Sequence, residues 1–270
     1  MSRVIVSGSF SEINSRLFRF LDEASRLGAV EALLWSDALV EKLEGEPPRF
    51  SVAEREYVLD ALRYVDTIRV VDELESGDAL PADLDGAAVW AVDARSHSDV
   101  RRQHASERGI EYRVITDEAL AGYPEREADP LTPGRKSVIV TGCYDWFHSG
   151  HVRFFEEVSE HGDLYVVVGN DANLRLLKGE GHPMFPEDER RYMAQSIRFV
   201  NRALISSGSG WMDAEPEIEH LKPTAYAVNE DGDKPEKREF CEKHELEYIV
   251  LKREPRPGLT RRSSTDLRGF

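Results

Sequence analysis

Cysteine is nearly absent. Cys143 and Cys241 are the two in 270 residues, in contexts that suggest no paired framework, so a disulfide-stapled fold is excluded and a reducing cytoplasm fits. Long apolar runs are missing too: none approaches the roughly 18–20 residues needed to cross a bilayer. The opening MSRVIV reads as a strand at once, so no signal peptide is expected. Positive charge is in deficit, with 35 Lys+Arg against 51 Asp+Glu and a net charge of −16. Such a surface repels phosphate backbones and anionic lipid, which argues against nucleic-acid or membrane partners. It leaves room for a local basic pocket around a small phosphorylated ligand. A soluble cytoplasmic protein is expected, long enough for one large domain or two ordinary ones.

What is present is alternation. Short apolar strand-like runs (RVIVSGSF, AVEALLW, TIRVV, AAVWAV, IEYRVI) are separated by amphipathic helical stretches such as SRLFRFLDEASRLG and AEREYVLDALRYV. That order implies a parallel sheet covered on both faces. It then repeats. VIVSG at 4–8 matches VIVTG at 138–142, RFLDEASRLG at 19–28 matches RFFEEVSEHG at 153–162, and FSVAEREYVLDALRYV at 50–65 matches FPEDERRYMAQSIRFV at 185–200. WAVDA at 90–94 matches YAVNE at 226–230, and ERGIEYRVI at 107–115 matches KHELEYIVL at 243–251. The reading is two tandem copies, 1–123 and 137–270, joined by a Pro- and charge-rich linker at 124–136.

The copies differ in their polar residues. His148 stands where the first copy has Asn14, His151 where it has Leu17, Gly150 where it has Arg16, and Lys178 where it has Glu44. The apolar skeleton is kept in both, so the second copy is expected to carry chemistry and the first to carry structure.

The chemistry centres on GCYDWFHSGH at 142–151, directly after the apolar run SVIVT. A glycine after the strand allows a tight turn, and a helix is expected to begin near Ser149 or Gly150. Residues three apart at a helix start share a face, so the imidazoles of His148 and His151 can converge where the helix presents its unpaired amides and positive dipole end. A phosphate suits that place. Two other readings of the pair are a metal site and histidines of the core or surface. A helix N-terminus disfavours a cation, and no His/Cys cluster supplies further ligands.

GCYDWFHSGH resembles the HxGH signature of the cytidylyltransferase-like nucleotidyltransferases, especially the choline-phosphate, ethanolamine-phosphate and glycerol-3-phosphate enzymes. Lys178–Gly179, EDERRYMAQSIRFV and the closing RRSSTDLR at 261–268 extend the likeness. The ethanolamine-phosphate enzyme is similar in having tandem copies, although its degenerate copy is the second. The resemblance implies two Rossmann-like α/β domains, each with a mainly parallel sheet. In such a family a phosphorylated acceptor attacks the α-phosphate of a nucleoside triphosphate in line, pyrophosphate leaves, and Mg²⁺ accompanies the nucleotide.

Carried over residue by residue, His148, His151 and Lys178 would be catalytic. The histidines would stabilise the transition state, and the lysine would draw donor and acceptor phosphates together. Thr141, Gly142, Cys143 and Tyr144 would line the nucleotide through backbone atoms, beside Gly150. Ser263, Ser264 and Thr265 would hold its terminal phosphates, with Arg268 following and Arg261 or Arg262 as the phosphate-binding cation. Asp145 would orient Mg²⁺ or the loop, and Trp211, Glu230 and Asp231 would surround the acceptor. GLTRRSST departs from the family's R-T-x-G-I-S-T, which leaves the base open. CTP with a phosphorylated small alcohol or sugar leads, ATP by the same mechanism is the alternative, and a non-catalytic nucleotide-binding module is the rival from another class. Family members commonly form twofold dimers, so the first copy would complete an intramolecular pseudo-dimer, with or without a further homodimer.

Overall fold

The computed structural model describes residues 2–86 and 89–267, and of residues 265 and 266 the backbone alone. The chain divides after Gly122 into two compact units. The first runs β1 (Arg3–Gly8), α1 (Ser15–Ser25), β2 (Ala29–Trp35), α2 (Asp37–Glu44), α3 (Val52–Ala61), β3 (Thr67–Val71), β4 (Val89–Asp93), α4 (Asp99–Glu107) and β5 (Glu111–Ile115). The second runs β6 (Ser137–Gly142), α5 (Ser149–His161), β7 (Asp163–Val168), α6 (Asp171–Lys178), α7 (Glu187–Gln195), β8 (Val200–Ile205), α8 (Glu215–Leu221), β9 (Ala225–Asn229), α9 (Pro235–Lys243), β10 (Glu247–Leu251) and α10 (Ser264–Leu267).

Each unit holds one five-stranded sheet, in the orders β3-β2-β1-β4-β5 and β8-β7-β6-β9-β10. The strand pairs are parallel. Both units are therefore doubly wound, Rossmann-like α/β domains, as expected. The apolar content of the strands follows from this. Helices cover both faces, so β7 is buried at every position and Val138, Ile139 and Val140 of β6 are wholly inaccessible. Below the second sheet, Ile139, Val167, Tyr226 and Val228 meet Met212, Ile218 and Phe240 in one apolar cluster.

The chain reverses direction across the sheet between β6 and β9. These strands pair only at Val138–Ala225 and Ile139–Tyr226, and then diverge. The divergence opens a crevice at their C-terminal ends, the usual ligand position in open α/β sheets. In the first unit β1 and β4 likewise pair only at Val4–Val89 and Ile5–Trp90.

Residues 123–136, which include the expected linker, carry no regular element. They are fastened to the second unit: Gln195 donates to the Pro124 carbonyl at 2.8 Å, Asp129 N to the Asn201 carbonyl at 3.0 Å, and Thr132 N to Asp163 at 2.6 Å. The short helices α2, α6 and α8 were not expected. For α6 the sequence does hold both end signals: Asn170 caps the Asn173 amide, and Gly179 follows the last turn with φ +87°. Both cysteines are free thiols. Among the described residues no helix is long and apolar enough to cross a membrane.

Candidate functional site

The sequence GCYDWFHSGH folds as strand end, loop and helix start. Gly142 is the last residue of β6, and its carbonyl accepts from Gly169 N at 3.0 Å, carrying the ladder to the rim. The left-handed residue of the turn is Tyr144 (φ +53°), not Gly142. Gly142 is needed for a different reason. The Tyr144 ring folds back over it, so a Cβ there would lie 2.7 Å from Cζ of that ring. Burial pushes the Tyr144 phenol well above its ordinary range.

A buried arginine holds this loop. Arg190 of α7, 1% exposed, donates from Nε to the Phe185 carbonyl (2.8 Å) and from Nη1 to the Cys143 carbonyl (2.7 Å). Its Nη2 donates to the Gly169 carbonyl (2.8 Å) and to Asp171 (2.7 Å). A guanidinium has five N–H donors in a rigid fork, so it can tie three loops at once without leaving its charge unpaired. Arg55 does the same in the first unit, reaching the carbonyls of Phe50, Ser9 and Trp35 and the carboxylate of Asp37.

His148 is the N-cap of α5. Its Nδ1 accepts from Gly150 N at 3.0 Å, and the residue is 1% exposed. An Nδ1 that accepts leaves the ring proton on Nε2, so the neutral ring presents a donor there. Asn14 caps α1 in the same way, accepting from Leu17 N at 2.9 Å. The His151 ring stacks on His148 with centroids 3.9 Å apart and planes inclined 20°. Tyr144 and Phe147 enclose it further, at 5.3 and 5.4 Å. Burial, then His148, then Arg253 hold His151 well below the ordinary imidazole range, so it is neutral at pH 7. The two rings thus converge at the helix start.

They face a cavity of about 190 Å³ in the crevice between β6 and β9. Thr141 lines it from β6 and Asn229 from β9, with Lys237 and Arg253 as its cations. Burial, helped by Lys234, lowers the Lys237 ammonium below its usual range. Arg253 is ion-paired with Asp231 and donates to the Arg262 carbonyl at 3.4 Å. Two cations, two imidazoles and a helix N-terminus around one opening suit an anionic ligand. Among the described residues no three His, Cys, Asp or Glu side chains cluster as metal ligands.

Of the residues singled out in the sequence, His148, His151, Gly150, Thr141, Tyr144 and Asp231 line this cavity. Arg262 lines an adjoining cationic cleft with Lys252, Arg256 and Arg261, and Gly150 and Arg253 border both. Ser264 opens α10, with its hydroxyl 3.4 Å from the Trp146 carbonyl. Ser263 immediately precedes it. Others lie elsewhere. Gly142 and Cys143 commit their carbonyls to Gly169 and Arg190. Asp145, left open between metal and loop, accepts from the amides of Met184 (2.8 Å) and Phe185 (3.0 Å) and so ties down that loop. Lys178 is exposed at the C-terminal end of α6, away from the cavity lining. Trp211 is 54% exposed and packs edge-on to Phe240, and Glu230 opens a 3-10 turn. The side chain of Thr265 and all of Arg268 fall outside the described residues.

Three polar side chains of the cavity lining escaped the sequence reading: Asn229, Lys237 and Arg253. Arg253 had a signal, a basic residue just past the last strand on the same side as the histidine helix. Lys237 had none, since a lysine on a polar helix face reads as solvated.

Residues 139–268 match the family model described as cytidylyltransferase-like. The chain is 35% identical over 97 residues to the FAD synthase of Ferroglobus placidus, covering 36% of this chain and 60% of that protein. It is 34% identical over 117 residues to the bifunctional protein HldE of Alkalilimnicola ehrlichii, covering 43% of this chain and 23% of that protein. The chain thus spans less than two thirds of the length of these relatives. A solved lipopolysaccharide core biosynthesis protein from Thermoplasma volcanium aligns at 22% identity and a TM-score of 0.38, covering 48% of this chain and all of that one.

Proposed function

We propose that the second unit is a nucleotidyltransferase that moves a nucleoside monophosphate from a nucleoside triphosphate to a phosphorylated small alcohol or sugar. An oxygen of the acceptor phosphate attacks the α-phosphorus in line, the bond to the β-phosphate oxygen breaks, and pyrophosphate leaves. One observation carries the reading: the His148–His151 stack at the α5 N-terminus, facing a cavity that also holds Lys237 and Arg253. The Nε2 proton of His148 and the His151 ring are donors for charge that builds on the transferred phosphate. Arg253 and Lys237 neutralise the triphosphate. Lys178 is assigned to the acceptor phosphate from the end of α6. Mg²⁺ bound with the triphosphate would offset its charge, while Asp145 holds the loop amides of Met184 and Phe185.

The family description favours CTP as donor. A second reading has ATP in the same place, favoured by the likeness to an FAD synthase, whose product is an adenine dinucleotide. The first unit is proposed to be a duplicate that has lost its chemistry. The test is pyrophosphate release with CTP, ATP, UTP and GTP against a panel of phosphorylated sugars and alcohols. Acceptor-dependent release with one nucleotide is expected. No release with any pair, and no thermal shift with any nucleotide, would refute the proposal.

A further inference from the structure

Asn229 ends β9 at the rim of the crevice and borders both the histidine-lined cavity and the adjoining cationic cleft. Its Oδ1 is buried and has no hydrogen-bond partner among the described residues. A buried amide oxygen left unpaired is costly, and native structures seldom tolerate one without a use for it. A cap role is available, because Asn229 precedes the 3-10 turn Glu230–Gly232, yet its side chain makes no cap bond there.

The first unit shows what such a position does when it is satisfied internally. Asp93 ends β4 as Asn229 ends β9. Its carboxylate caps the following turn by accepting from Arg95 N at 2.8 Å. It also accepts from the Arg16 guanidinium at 2.8 and 2.5 Å, and Arg16 bridges on to Asp117 at 2.7 Å. Arg16 stands second in α1, where α5 has Gly150. The first unit therefore satisfies its rim acceptor with its own N–H donors, although a cavity of about 500 Å³ remains beside Arg16 and Asp93. In the second unit Gly150 contributes no side chain there, and the cation, Arg253, comes from beyond the last strand. The rim acceptor is left without a donor among the described residues.

We infer that Asn229 is a specificity residue that accepts a hydrogen bond from a ribose hydroxyl of the bound nucleotide. The inference rests on the nucleotidyltransferase reading. The sugar is the part of a nucleotide that lies next to its phosphates, and Asn229 shares its cavity with the phosphate-binding candidates Arg253, His148 and His151. The acceptor thus sits where a ribose hydroxyl falls once the phosphates are held.

The experiment is equilibrium binding of ATP and CTP, with their 2′-deoxy and 3′-deoxy analogues, to the full chain and to Asn229→Ala and Asn229→Asp. The wild type is expected to favour the ribonucleotide over one deoxy analogue by roughly tenfold, the worth of a buried hydrogen bond. Asn229→Ala is expected to erase that ratio. Asn229→Asp keeps an acceptor, so it retains the ratio while binding every triphosphate more weakly. A structural role alone would shift affinities together and leave the ratio intact. A ratio unchanged in Asn229→Ala, or no ratio in the wild type, overturns the assignment and leaves the proposed function standing. Failure of the wild type to bind any nucleotide removes both.

Discussion

Gly150→Ala tests the site with the smallest possible change. Gly150 is the second residue of α5, and its φ lies outside the left-handed region, so alanine meets no backbone strain there. The new Cβ would sit 2.9 Å from Cε1 and Nδ1 of His148 and 3.4 Å from the Arg262 carbonyl. Carbon contacts relax at about 3.5–4.0 Å, so the ring has to retreat by roughly 0.6 Å or more. The 3.0 Å bond from Gly150 N to Nδ1 then stretches past hydrogen-bond range. With that bond gone, the Nε2–H tautomer is no longer enforced and the 3.9 Å stack on His151 shifts. Misplacing a reacting group by a fraction of an ångström to 1 Å costs up to about 100-fold in rate. Stability should barely move, because alanine favours the helix by about 0.5–1 kcal/mol and the lost cap costs about 1 kcal/mol. Steady-state pyrophosphate release with a thermal melt reads both quantities. Near-wild-type kcat in a folded Gly150→Ala protein would refute the role given to His148.

Other expectations follow from the same geometry. Burial keeps His151 below its ordinary value of 6.5, so below about pH 6.5 the unfolded chain takes up a proton that the folded chain refuses, and stability falls as pH drops. Above that pH both states are neutral and the group contributes nothing. Urea melts at pH 7 and pH 5 should show His151→Gln losing less stability on acidification than wild type, by at most about 1.4 kcal/mol per pH unit, and equal losses would contradict this. Arg190→Ala removes a guanidinium bonded to three carbonyls and Asp171, and should cost the second unit about 3–5 kcal/mol in denaturant unfolding; a loss under about 1 kcal/mol would discount the hub. Arg253→Ala should raise the nucleotide KM about tenfold or more with a smaller effect on kcat, in a steady-state titration of the nucleotide.

Much of the architecture was legible from the residues. The apolar runs and the helical stretches between them mark all ten described strands by simple alternation, and GCYDWFHSGH places a helix start near Ser149 or Gly150, where α5 begins at Ser149. Local chemistry explains this success. A parallel strand is buried on both faces and so is apolar throughout, and a helix start is marked by its cap. Short helices such as α6 are hard to read because eight residues hold too few turns to show a periodic apolar face, and the glycine stretch KGEGHP follows directly on the last turn.

The division between chain and fold is clearest at the cavity itself. Residue order determined that two histidines would share a helix face, because three residues is nearly one helical turn. It could not determine their company. Asn229, Lys237 and Arg253 lie 78 or more positions beyond His151 in the chain, and they reach it only because β9 crosses over to pair beside β6. The same crossing in the first unit brings Arg16 to Asp93, so that the rim acceptor there is already paired. Whether a rim acceptor is paired by the chain or left open is decided by groups that meet only after the sheet has formed.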